Sequence, residues 1–514
     1  MSKSMKIAVV GAGINGLINA FYLRQAGHKV DVFEKNDDVG GACIKETTDI
    51  DGQTMEYTSG ATVFGMMQDF IFKETGLDQR IRLHTPLHPK IVDYGNGVQV
   101  LFHLYNEDLK KELLRKWGET GDLDGWMRDE AAVAKYLCRE FRFGLTPSLE
   151  RAERSLGREM VERWFLGTAR NLLDHYFTSD RTKIYLALPV TESGPVSIDS
   201  PRSAFTIGLM MTGSVFGLGR WGFVEGRLWS ITQALKTILE EREVRIRRNT
   251  KVEWVNSKSG ALAFRPPNDN RHPLGVELYD HIVLATDPLT AARLTDDSHM
   301  LAIVKSKKAL GSAGKLIALF KRPIRWRQPT GMLDFDTAFR FFIQIDSMDD
   351  FERRSQEIRS GAHDYLPSSI QVYCDGAAMR KFGCQETRES VTLFIKDMGL
   401  TVPGAEMPPN ILQRIMTAFC ARVDNPEDII MTKLLGPKDV QQIYGFHGGN
   451  YDGIELCDGQ QYEQRTFSDD PARRFYMFGN HERISFCHAA AWPYGSIAGT
   501  GGYLCAKEIL RHNS

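Results

Sequence analysis

The sequence predicts an α/β protein in which one sheet is assembled from separated stretches of chain, with an α+β domain inserted between them. Three observations predict this. Residues 6–35 read strand, glycine turn, helix, strand. A strand-forming block returns at residues 219–300, beyond a long charged segment of helical periodicity. Residues 474–510 repeat strand, glycine-rich loop and helix. Together they specify a discontinuous Rossmann-type domain over 1–65, 220–305 and 465–514, and an inserted domain over 66–219 and 306–464.

In the first block the apolar run Ile7 to Val10 ends in Gly11-Ala12-Gly13-Ile14-Asn15-Gly16, a G-x-G-x-x-G turn in its expected context. A helical pattern runs from Ile14 to about Gln25, Gly27 closes it, and the β-branched run Val30 to Phe33 ends at Glu34. Gly11 permits the tight turn, Gly13 lets the backbone approach a pyrophosphate, and Gly16 lets helix and strand pack closely. The helix start at Ile14 and Asn15 presents N–H groups and a partial positive charge to phosphates. Glu34, 23 residues after Gly11, is placed to accept bonds from ribose hydroxyls, with Lys35 beside it. Its charge would repel a 2′-phosphate, which argues for NAD or FAD over NADP. The Gly40-Gly41-Ala42 segment follows in the same loop and allows a second close backbone approach.

Composition narrows the class. With 42% hydrophobic and 25% charged residues the sequence reads as an ordinary globular protein. A net charge of −1 supplies no electrostatic case for nucleic acid. None of the eight cysteines forms a C-x-x-C pair, so no metal site is expected. Scattered cysteines and the lack of a secretory signal lead to the expectation of a cytoplasmic protein. Two uncharged stretches, 203–219 and 485–506, are too short or too rich in Gly, Ser and Thr for a spanning helix, so no transmembrane segment is expected.

Between the ends, residues 105–175 are charged with apolar positions such as Leu109, Leu113 and Trp117 at helical spacing, and a helical insertion from Met66 is predicted. Arg151, Arg154, Arg158 and Arg163 fall roughly on one helix face and read as a solvated surface. Leu228 to Leu239 is helical, Val252 to Val255 is a strand, and Tyr279 to Thr286 is a β-rich run. Residues 368–374 and 391–395 read as strands, and 405–424 as a helix. The Arg474 to Gly479 run reads as a strand and Tyr503 to Leu510 as the closing helix.

These motifs, GAGINGL with Glu34 and the glycine pair, WGFVEG with DHIVLATDP, and YMFGN with the terminal glycine-rich loop, resemble the FAD-dependent amine oxidase and phytoene desaturase superfamily. The resemblance implies a flavin enzyme with FAD contacts at Gly11, Gly13, Ile14, Asn15, Gly16, Glu34, Lys35, Gly40, Gly41, Ala42, Val252, Gly479, Asn480, Gly495, Ser496 and Ile497. The segment LGSAGKLIALFKRPIRW is similar to the monoamine oxidase stretch whose lysine reaches flavin N5 through water; here that lysine is Lys315. Trp492, Tyr494 and Tyr444 are the candidate aromatic rings at the flavin face. Ala42 stands where the family usually has Arg, and Asn480 where it has an acid. No cysteine matches the covalent flavin position, so noncovalent FAD is expected. The resemblance implies oxidation of a small-molecule amine, with O2 or another acceptor reoxidising the flavin and H2O2 released where the acceptor is O2. The alternatives are a desaturase or dehydrogenase acting at C–C bonds, and a UDP-galactopyranose-mutase-like flavoprotein with an arginine-lined pocket that Arg151 to Arg163 would supply.

Overall fold

A computed structural model describes residues 4–87, 90–95, 98–102, 107–265, 274–328, 334–361, 367–398, 410–469 and 475–512. Its parallel sheet draws on widely separated parts of the sequence, in the order Ile484–Phe486, His281–Leu284, Lys6–Val10, Lys29–Phe33, Arg245–Arg247. Every pairing in it is parallel. The central strand, Lys6–Val10, is a continuous apolar run because both its faces are covered; Ile7, Ala8 and Val9 are wholly buried. The first helix, Ile14–Gln25, carries two buried polar residues that its own pattern does not explain. The last helix, Thr500–His512, explains both. Asn19 Nδ2 donates to the Gly502 carbonyl at 3.0 Å, and Asn15 Oδ1 accepts the Gly502 N–H at 3.2 Å. A Cβ at Gly502 would lie 2.1 Å from the Asn15 carbonyl oxygen, so the glycine is what lets the two helices touch.

The second layer is a seven-stranded sheet in the order Ile429–Leu435, Gly314–Phe320, Glu389–Ile395, Ser369–Cys374, Phe339–Ile343, Lys90–Asp93, Gln99–Phe102. It is antiparallel except where Phe339–Ile343 meets Lys90–Asp93. Two of its strands come from the stretch predicted to be helical from Met66. That expectation is corrected: the long helices begin only at Glu107–Trp117, followed by Leu123–Phe143, and helices run on to Ser203–Leu209. The strand Lys251–Asn256 forms as expected but belongs to a separate three-stranded antiparallel sheet.

Two further expectations change. The run ending at Gly479 is not a sheet strand: Met477 and Phe478 make only isolated bridges, and the backbone turns at Tyr476 with φ +64°. The strand that joins the parallel sheet is Ile484–Phe486. The four arginines do not share one helix, because Gly157, at φ +89°, separates Leu149–Leu156 from the turn that follows. Arg151 is bound to Glu140 and Arg158 to Glu162. Of the helix read at 405–424, the described part is Ile411–Cys420. Among the described residues no helix is long and apolar enough to cross a membrane.

One buried cation ties the last part of the sequence together. Arg465 is 1% exposed and donates to six carbonyls, those of Asp452, Ile454, Glu455, Gln460, Ala489 and Ala491, at 3.1 to 3.5 Å. It joins the 452–460 segment to the loop that follows the Ile484–Phe486 strand. Removing it leaves buried acceptors without donors, each costing about 1–3 kcal/mol. Arg465→Met is therefore expected to destabilise the protein by at least ~3 kcal/mol. Urea unfolding of the two proteins measures it; a midpoint equal to that of the unmodified protein would show that the loops hold without this side chain.

Candidate active site

The glycine turn lies at the carboxyl end of the central strand, where open α/β sheets bind ligands. Gly11 has φ +107°, and a Cβ there would sit 2.6 Å from the Ala285 carbonyl oxygen of the neighbouring strand's loop. Gly13 differs. A Cβ on it would meet only the Gly41 Cα, at 3.8 Å, so its free face opens on a cavity rather than on protein. The Gly40-Gly41 segment folds onto the same turn, with the Gly40 N–H donating to the Ala12 carbonyl at 3.0 Å and a parallel bridge joining Gly13 to Gly40. The two glycine motifs are thus one cradle. The helix above it is capped by Gly13 without a side-chain acceptor, and its first turn holds no acid. Its amide groups are left for an anion.

Glu34 closes the cradle. Its Oε2 accepts the Ala12 N–H and its Oε1 the Asn36 N–H, each at 2.9 Å, which fixes the carboxylate at the cavity wall. Burial raises its pKa above the usual carboxylate range, and these amide bonds oppose the rise. The cradle fits a dinucleotide: an open glycine face, an uncapped helix start and a fixed carboxylate in the order pyrophosphate and ribose require.

The cavity that begins here has a volume of about 810 Å³. Gly11, Gly13, Ile14, Asn15, Gly16, Glu34, Lys35, Gly40, Gly41, Ala42, Val252, Gly495, Ser496, Ile497, Lys315 and Tyr444 all line it. Four predicted residues do not. Trp492 is 1% exposed inside an aromatic cluster with Phe141, Phe205 and Tyr462 at 5.3 to 6.2 Å. Tyr494 is buried in the core as well. Both were expected at the flavin face; packing behind the 495–497 segment takes them away from it. Gly479 and Asn480 form a turn away from the cavity, where Gly479 N–H donates to the Phe467 carbonyl and Asn480 Oδ1 accepts from Ser468. Arg151, Arg154, Arg158 and Arg163 do not line the cavity either.

The middle of the cavity carries its titratable groups. Lys315, on the strand Gly314–Phe320, is 5% exposed, with Nζ 3.3 Å from Thr62 Oγ1 and 5.3 and 5.6 Å from the ring centres of Phe394 and Tyr451. Burial pushes its pKa down to about 7, opposed by the charge of Asp375. Thr62 Oγ1 is 3.4 Å from Thr58 Oγ1, which donates to Asp375 Oδ2 at 3.2 Å. A hydroxyl pair therefore links the lysine to a buried carboxyl, itself raised to about 7 by burial. Tyr444 bonds Ser59 through its hydroxyl at 2.6 Å and stacks on Phe446 at 5.7 Å.

Two residues here escaped the sequence reading. His488 follows the Ile484–Phe486 strand as Gly11 follows Lys6–Val10, at the ligand end of the sheet; that position was the available signal. Its Nδ1 accepts the Ala490 N–H at 3.2 Å and burial lowers its pKa to about 4, so it is neutral with its proton on Nε2. Asp452, beside Ser496, is raised to about 7 by burial. No local pattern distinguishes it from an ordinary turn aspartate.

The wall opposite the cradle is one face of the seven-stranded sheet. Lys315 pairs with Phe394, Phe394 with Gln371 and Gln371 with Phe341, and all four line the cavity. The rest of this chamber is largely apolar, including Leu188, Ile207, Met210 and Trp221.

Comparison with known proteins agrees with this construction. The NAD(P)-binding Rossmann-like domain profile matches residues 9–70. The 4,4'-diapophytoene desaturase (4,4'-diaponeurosporene-forming) of Staphylococcus aureus (strain COL) is 24% identical, over 91% of this protein and 92% of the desaturase. Cyclohexylamine oxidase from Brevibacterium oxydans IH-35A superposes with a TM-score of 0.58 at 13% identity, over 99% of each protein. Wild-type putrescine oxidase bound to putrescine gives 0.56 at 14% identity, over 100% of this protein and 99% of the other. The protein shares the fold of these two amine oxidases and is similar in sequence to the desaturase along nearly its whole length. Within this fold the cradle is the dinucleotide end of the cavity and the sheet face is its opposite wall.

Two outcomes follow from the geometry. Gly13→Val places its side chain in the cavity without striking protein, so the fold should survive, with an unchanged circular dichroism spectrum. Flavin retention, read from visible absorbance after gel filtration, should fall by about 100-fold or more, because the pyrophosphate approach is blocked. Normal flavin content would refute the cradle.

The second concerns pH. The Lys315 pKa is about 7 in the folded protein and 10.5 ordinarily, so the unfolded state binds more protons between these values. Burying the ammonium costs stability below pH 7, and that cost is relieved as pH rises towards 10.5. Lys315→Met should be more stable than the unmodified flavin-free protein by ~3 kcal/mol at pH 6.5, with the advantage shrinking steadily by pH 9.5. A pH-independent difference in urea unfolding would contradict the buried-lysine assignment.

Proposed function

We propose that this protein is an oxidoreductase with noncovalent FAD that removes hydride from a C–H bond of an elongated apolar small molecule, forming a C–C double bond. The apolar chamber beside Lys315 carries this reading. An amine site would need two rings set apart by roughly 7 Å, twice a van der Waals contact, to admit the substrate nitrogen. Tyr444 and Phe446 are stacked on each other at 5.7 Å, and Trp492 and Tyr494 lie outside the cavity. The full-length similarity to a diapophytoene desaturase supports the same choice.

FAD bound here would supply the hydride acceptor, with its pyrophosphate at the first helix and its ribose at Glu34. The protein's own residues do the rest. The aromatic and aliphatic wall excludes water from the hydride path. Neutral His488 offers its Nε2 proton as a hydrogen-bond donor. Lys315, held between Thr62 and the Phe394 and Tyr451 rings, is half protonated near pH 7 and stands where a proton released on desaturation can be taken up, with Asp375 behind it through Thr62 and Thr58. Noncovalent attachment is supported by Cys43, the cysteine on the cavity wall, whose thiol burial pushes up to about 12; a protonated thiol is a poor nucleophile.

Oxidation of a small-molecule amine, with O2 as acceptor, is the second reading. Lys315 favours it, since the lysine lies in the segment similar to monoamine oxidase. The mutase-like reading loses its support with the arginines outside the cavity.

Anaerobic reduction of the purified protein followed by admission of air tests the choice. The expected result is a flavin spectrum, slow reoxidation with little H2O2, and fast reoxidation by a quinone or dye. Rapid reoxidation with stoichiometric H2O2 moves the assignment to an amine oxidase. A protein without flavin bands, and with none restored by added FAD, overturns the reading altogether.

A further inference from the structure

One charged group in the chamber has no role in the chemistry above. Lys90 opens the strand Lys90–Asp93, pairs with Phe339 on one side and Phe102 on the other, and lines the cavity. Its surroundings are aromatic. Nζ lies 5.8 Å from the Tyr185 ring centre, and Tyr185 packs on Phe102 at 4.3 Å and on Phe341 at 5.4 Å. Among the described residues its side chain makes no hydrogen bond or ion pair. Glu130, which lines the same cavity, is the one carboxylate that acts on its charge, without forming an ion pair with it. The other acid of this wall, Glu192, is paired with Lys396. An ammonium held among aromatic rings with no carboxylate in contact is costly, and an anion that joins it relieves that cost. Burial accordingly lowers its pKa.

The sheet sets the distance from this cation to the reaction centre. Lys315 and Lys90 lie on the same face, because the ladder Lys315, Phe394, Gln371, Phe341 is followed two residues along by Phe339 and Lys90. Their strands stand second and sixth in the sheet, four steps apart. At about 4.8 Å per step this is roughly 19 Å, floored by Phe394, Phe341 and Phe339. With carbon–carbon bonds of ~1.5 Å in a zigzag, roughly fifteen carbons span it.

We propose that Lys90 anchors the carboxylate end of an elongated substrate whose hydrocarbon body lies along this sheet face, bringing a C–H bond from the middle or far end of that body to Lys315. The assignment deepens the C–C reading above and rests on it. A single ammonium in an aromatic surround matches a monoanion; a phosphate dianion would need further donors at this point of the wall. The lysine acts as a binding and positioning group and touches no reacting atom.

The test uses the holoenzyme and two sixteen-carbon probes, hexadecanoate and hexadecanol, titrated below their aggregation limits and read by flavin difference absorbance. Hexadecanoate is expected to bind about tenfold more tightly than the alcohol, the scale of one charge-assisted hydrogen bond. Lys90→Met should abolish that preference without weakening the alcohol, and Lys90→Arg should restore it. The preference should also fade as pH rises and Lys90 loses its proton. Equal binding of acid and alcohol by the unmodified protein, or an acid preference that survives in Lys90→Met, overturns the anchor while leaving the C–C reading intact. If neither probe binds and alkylamines do, the C–C reading fails and the anchor with it. Tighter binding of hexadecyl phosphate than of hexadecanoate would replace the carboxylate assignment.

Discussion

The structure depends on the pairing of Lys6–Val10 with strands on both sides. Parallel strands cannot be joined by a tight turn, so each neighbour arrives after a crossover, and the His281–Leu284 and Ile484–Phe486 strands arrive after hundreds of residues. This pairing brings the loops after three strands to one end of the sheet. The glycine turn, the 285–287 segment and His488 all lie there and all line one cavity. The dinucleotide cradle is thus a consequence of sheet order, and the inserted residues are free to build the opposite wall.

That opposite wall is a sheet as well. A sheet face is a ruler: side chains of neighbouring strands stand about 4.8 Å apart and alternate between faces. Lys315, Phe394, Gln371 and Phe341 form one row across it, and Phe339 and Lys90 belong to the next. An aromatic row with a cation towards each end is a binding surface for an extended molecule, and its polarity is set by strand register alone. The helices from Glu107 onward add Glu130, Tyr185 and Ile207 to the lining of the same chamber.

Burial governs the electrostatics of the site. It lowers Lys315 to about 7 and His488 to about 4, and raises Asp375 and Asp452 to about 7. Each shift disfavours the charged form, so the region around Lys315 carries little net charge at neutral pH. The hydrocarbon body of a substrate meets little opposing charge there, and Lys315, Thr62, Thr58 and Asp375 form one hydrogen-bonded series behind it.

The sequence by itself determined the cradle. Its glycines, helix start and the Glu34 carboxylate lie within about thirty residues and are placed by backbone geometry, which local sequence dictates. It also located Lys315, through a segment whose strand is encoded by its own apolar run. Tertiary structure decided the rest, because those roles depend on which distant segments meet. Asn15 and Asn19 meet Gly502 only because the last helix returns to pack on the first. Trp492 and Tyr494 read as site aromatics until the segment beside them turns their rings into the core. His488, Asp452 and Lys90 carry no motif, and only strand order and register bring them to the cavity. Local chemistry is written in neighbouring residues; the placement of one side chain against another from a distant segment is settled by packing.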